Sequence, residues 1–184
     1  WVTSNLEMLD RLAGREVVRW SGVEMAILEA DPDAGLPHRF EHPDVNCMQF
    51  VVLDLHFEDE PPVRIATWQD DDLFWLMLEG LELDDSSLEP LLQGTDGFYR
   101  RTDDVGLAVG RILRVECGLR RTNRLLDVIF TIGNDADGET IVLRAGEFYE
   151  ELDGSIMAVA GDESVIAFPG RAGVDAISWV GGGL

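Results

Sequence analysis

The feature that most constrains this chain is its punctuation. Apolar, β-branched runs recur about every ten residues, and clusters of Gly, Pro, Asn and Asp separate them. A run of that length supports a strand and is too short for a core helix, so most of the chain must pair as sheet. The clearest case is 47–57, almost continuously apolar at first and then alternating through Asp54, His56 and Glu58. That pattern belongs to a central strand running from the core to its rim.

Around this strand the sequence divides into recognisable pieces. Ser4 and Glu7 have capping-box spacing, and Leu6, Leu9 and Leu12 form a stripe, which predicts a short helix over 5–13. Residues 15–20 and 23–29 flank Ser21-Gly22, a two-residue turn signal, and read as a hairpin. Three prolines and a glycine make 31–44 a loop, and 63–67 and 73–78 form a second hairpin with Asp70-Asp71-Asp72 at its tip. Residues 84–106 are a connector with a helical turn or two. Strands follow at 111–117, 125–132, 140–144, 155–160 and 164–168, with 146–152 a helical turn or a loop.

The fold expected is α+β and strand-rich, with mostly antiparallel sheets forming a sandwich or a partly open barrel. It carries a short N-terminal helix and one or two helical connectors. At 184 residues the chain suits a single compact domain, 1–184. Two β-rich halves, 1–95 and 96–184, are the alternative. Gly14-Arg15 with Gly22 echoes Gly110-Arg111 with Gly118, each set framing one strand.

Charge narrows the function classes. With 36 acidic residues against 14 basic ones, the formal charge is -22, which repels phosphate backbones and anionic lipid. The expectation is no nucleic acid and no membrane partner. No run approaches the roughly 18 apolar residues of a membrane span, and no signal-like segment opens the chain, so a cytoplasmic location is expected. The start at Trp1 leaves room for a trimmed segment ahead of it. Cys47 and Cys117 fall in apolar stretches and read as buried thiols.

Three histidines are the candidates for metal chemistry. His38-Arg39-Phe40-Glu41-His42 has the H-x-x-E-H spacing that puts two imidazoles on one helical face, yet Pro37 and Pro43 oppose a helix there. His56 lies with Asp54 and Glu58 on one face of its strand. A small metal-dependent hydrolase using His38, His42 and His56 is therefore the alternative reading. Walker, nucleophile-elbow, zinc-cysteine and dinucleotide signatures are missing from the sequence, and no cofactor is expected. Half of the arginines fall within 100–124, a locally positive stretch suited to neutralising acids elsewhere in the chain.

The preferred reading is a non-enzymatic protein-binding module, of the inhibitor or immunity-protein type, that recognises a basic protein partner. Acidic clusters sit at predicted turns, where charge stays solvated and displayed. Glu58, Asp59, Glu60, Asp70, Asp71 and Asp72 are the binding candidates, with Trp68 as an aromatic anchor beside them. A third reading is a structural or assembly subunit whose edges pair with copies of itself, a homo-oligomer.

Overall fold

A computed structural model describes residues 2–25, 42–70, 73–80, 88–93, 98–119, 124–134, 138–151 and 153–181. The described chain is a strand-rich α+β fold. Its elements run α1 (Val2–Leu12), β1 (Glu16–Met25), β2 (Met48–Phe57), β3 (Val63–Asp70), β4 (Leu73–Gly80), α2 (Glu89–Leu92) and β5 (Tyr99–Thr102). There follow β6 (Gly110–Leu119), β7 (Leu125–Ile132), β8 (Glu139–Glu150), β9 (Ile156–Phe168), α3 (Arg171–Ala176) and β10 (Trp179–Val180).

The sheet consists of two antiparallel meanders, β1-β2-β3-β4 and β6-β7-β8-β9, joined side by side through β1 and β6. That junction is thin, with only Glu16↔Arg111 and Val17↔Gly110 in register. A second link curls the ladder back on itself: Met48, Gln49 and Phe50 of β2 pair with Ala167, Ile166 and Val165 of β9. The result is a partly open barrel rather than a flat sheet. Among the described residues all pairings are antiparallel except that of β10 along β9.

The inside of the curl is the main core. Trp20, Phe50, Leu53, Leu55, Ile112, Phe130 and Leu143 are almost wholly buried there. Trp20 meets Phe130 edge to face at 5.9 Å and donates its indole N–H to the Ala108 carbonyl at 2.8 Å. The leucine stripe of α1 seals one end through Leu9 and Leu12. Its Asn5 side chain accepts the Leu78 amide of β4, which satisfies one group on the outer edge of that strand. A second cluster, with Cys47, Phe148, Ile166 and Phe168, lies beneath α3 and β10.

Several sequence expectations need correction. The predicted hairpin at Ser21-Gly22 does not exist, because β1 runs through both residues. A Cβ on Gly22 would lie 2.7 Å from the Val52 carbonyl oxygen, so the glycine permits close strand approach and makes no turn. The helix starts at Val2, which places Ser4 within it and not at its cap. Residues 146–150, expected in a turn or loop, continue β8. The strands expected at 155–160 and 164–168 are one strand, β9, with its ladder interrupted in the middle. The loop expected over 31–44 falls largely outside the described residues.

Candidate functional site

The interruption in β9 builds the site. Gly146 of β8 pairs with Ala160, but the next residue back, Ala145, pairs with Val165, so residues 161–164 bulge out of the ladder. Gly161 adopts a φ of 75° there, a left-handed conformation that lets the chain turn out of register. Beyond the bulge β9 turns to β2. The same edge of β2 serves β3 further along, through Val52↔Ala66 to Leu55↔Val63. The sheet therefore forks, and the Thr67 hydroxyl of β3 donates to the Glu163 carbonyl across the fork.

Acidic and aromatic groups gather at this fork. Trp68, next to that latch, is 50% exposed, whereas Trp75 directly opposite it in register is 6% exposed. Glu163 is exposed and Asp162 half-buried. Asp162 is held from two sides, Oδ1 accepting the Glu163 amide at 2.8 Å and Oδ2 accepting the Tyr149 hydroxyl at 2.9 Å. Glu147, two residues before Tyr149 on the same face of β8, is only 7% exposed, and its Oε2 finds no hydrogen-bond partner among the described residues. Burial raises its pKa from 4.5 to about 7, with Glu163 and Asp162 adding to the rise and the Tyr149 hydroxyl opposing it.

The sequence candidates separate in space. Asp70 ends β3 two residues beyond Trp68, and Asp71 and Asp72 lie outside the described residues. Glu58, Asp59 and Glu60 are exposed at the opposite end of β3, and Glu60 pairs with Arg15 at 2.7 Å. At ~3.3 Å per residue, the eight residues of β3 hold the two acidic turns roughly 25 Å apart. Of the sequence candidates Trp68 lies next to the fork, and Glu147, Tyr149, Asp162 and Glu163 were not among those candidates. The only signal for these four was Gly161-Asp162-Glu163 within an apolar stretch, and it reads as an ordinary turn.

His42 and His56 do not come together. His38 and Glu41 lie outside the described residues. His42 flanks a cleft of about 560 Å³ at the start of β2, takes the Asp44 amide on its Nδ1 at 3.2 Å and tilts against Phe148 at 5.5 Å. His56 is elsewhere, between the Ser21 hydroxyl on Nε2 at 2.7 Å and the Arg19 guanidinium on Nδ1 at 3.3 Å. The expected face of Asp54, His56 and Glu58 is divided as well, since Asp54 is bound to Arg64 and Glu58 points to solvent. Among the described residues, no three His, Cys, Asp or Glu side chains are placed to hold a metal ion.

An arginine donates only, so the His56 Nδ1 facing Arg19 must accept, and its Nε2–H then donates to Ser21. That tautomer cannot take a proton from the serine, and this pair is not an activated nucleophile. Cys47 and Cys117 are unpaired thiols. Cys117 is exposed, contrary to expectation, and burial pushes the Cys47 thiol up to about 12, where it is inert. No helix among the described residues is long and apolar enough to cross a membrane.

Comparison with known proteins finds no family model that matches this chain and no curated protein significantly similar to it.

Proposed function

We propose that this protein is a non-enzymatic binding module, of the inhibitor or immunity-protein type, that docks a basic protein partner on the acidic fork between β3 and β9. The observation that carries this reading is Trp68, half-exposed on β3 one residue beyond Thr67, whose hydroxyl ties that strand to the acidic Asp162-Glu163 bulge. A large aromatic ring left in solvent offers apolar area to a partner at little cost in conformational entropy, and such rings anchor interface hot spots. The surrounding charge does different work. A chain at -22 attracts cationic surfaces over the Debye length, which raises association rates and rejects acidic competitors.

The test is capture of the partner from the native host at low salt, followed by kinetics on the purified pair. The association rate should fall steeply as salt rises, and Trp68→Ala should weaken affinity at least about tenfold, chiefly through faster dissociation. A partner with an acidic surface, or a Trp68→Ala variant that binds like wild type, overturns the reading.

A further inference from the structure

We propose that Glu147, Asp162 and Glu163 form a socket for one cationic side chain of the partner, a guanidinium, seated at the β9 bulge beside Tyr149. The inference rests on the docking reading above and names the chemistry that the fork selects.

Asp162 and Glu147 draw on one donor, the Tyr149 hydroxyl. The single Tyr149 hydroxyl proton lies within reach of both Asp162 and Glu147, so it cannot satisfy both carboxylates at once. The Glu147 Oε2 is left bare although the residue is more than nine-tenths buried. A buried carboxylate oxygen without a donor is costly, and either a proton or a cation must offset it.

Among the described residues no cation is supplied to Glu147. The charged groups acting on Glu147 are Glu163 and Asp162 from β9, with Tyr149 from β8, and no arginine is among them. Arg144, on the same strand, is committed to Asp127 and lies over the Trp179 ring. The neighbouring β10 brings only Trp179 and Val180, which do not titrate.

A guanidinium fits better than a metal ion, because the three carboxylates are not placed as a coordination sphere. Its planar donors can serve several carboxylate oxygens spread along the bulge. Tyr149 and Met157, opposed in register and 37% and 36% exposed, give the aliphatic stem an apolar surface to lie on.

In the unbound protein a proton does part of the cation's work on Glu147, so filling the socket should expel it. The probe is a hexa-arginine peptide, titrated calorimetrically at low salt in two buffers of different ionisation enthalpy. Wild type should release about half a proton on binding at pH 7, and its affinity should rise about tenfold from pH 6 to pH 8. Glu147→Gln should bind with no proton release and a flat pH profile. Glu163→Gln, an exposed change that guards against a misfolded Glu147 variant, should weaken binding severalfold.

Binding by wild type without proton release, or equal release by Glu147→Gln, overturns the socket and leaves the wider acidic surface standing. No binding of hexa-arginine by wild type sinks both. Hexalysine matching hexa-arginine in affinity and in proton release overturns the preference for a guanidinium.

Discussion

Arg64 grips Asp54 through both carboxylate oxygens, Nε at 2.8 Å and the terminal nitrogen at 2.9 Å, with the two side chains 6% and 5% exposed. A pair so deep gains little over an apolar replacement, but breaking it strands a charge in the sheet. Asp54→Ala should therefore cost about 3–5 kcal/mol, while Asp54→Leu with Arg64→Met should recover most of that loss. Urea unfolding of the single and double variants checks it. A single variant as stable as wild type would show that Arg64 reaches water.

The same geometry recurs in the second meander, where Arg144 holds Asp127 at 2.6 and 2.9 Å. Asp127 lies opposite Gly118, as Asp54 lies opposite Ser21 next to Gly22. In both cases an aspartate on the second strand of a meander holds an arginine on the third. Each of these side chains is 15% exposed, so water screens the second pair more. Asp127→Ala should cost less than Asp54→Ala in the same urea experiment.

Gly22 supplies a sharper test of the close approach between β1 and β2. Its missing Cβ would sit 2.7 Å from the Val52 carbonyl and 3.0 Å from the Phe50 ring. The backbone cannot give way cheaply, so Gly22→Ala should destabilise by about 1–3 kcal/mol. By contrast Gly154, with φ of 80° and open space around it, should suffer only the strain of its conformation. Thermal melts of the two variants separate crowding from backbone strain.

Gly22 also shows what the sequence could and could not reveal. The β3–β4 pairing and the strand at 125–132 were legible because period and turn chemistry are local properties. A glycine that ends a strand and one that admits a neighbour look alike until the neighbour is known. Glu147 was hidden for a related reason. Within Gly146-Glu147-Phe148-Tyr149-Glu150 it reads as one more solvated acid, and only its place in the sheet beside the β9 bulge reveals that it is buried. Trp68 is half-exposed two residues from the end of β3, whereas its partner in register, Trp75, is buried, a difference that the sequence alone does not reveal.

His56 should remain neutral at pH 7. Burial lowers its pKa below 6.5, the Arg19 charge lowers it further, and Asp54 and Asp103 only partly oppose them. The unfolded chain then takes up a proton near pH 6.5 that the native state resists, so stability falls as pH drops below that value. A proton-detected titration should give a midpoint under 6.5 and a ring protonated on Nε2. His56→Gln, which cannot titrate, should flatten this part of the stability profile. A midpoint above 6.5 would refute the Arg19 contact.

Glu147 produces the opposite slope. Because its pKa rises from 4.5 to about 7 on folding, the native state holds a proton that the unfolded state has already lost over that interval. Stability from this residue therefore declines as pH climbs from 4.5 to about 7, and the deficit then stays constant. At roughly 1.4 kcal/mol per pH unit the full deficit is about 3 kcal/mol, and Glu147→Gln removes it. The variant should match wild type near pH 4.5 and exceed it in urea midpoint at pH 8. Equal midpoints at pH 8 would mean that the carboxylate ionises without cost, with solvent reaching the oxygen that now lacks a partner.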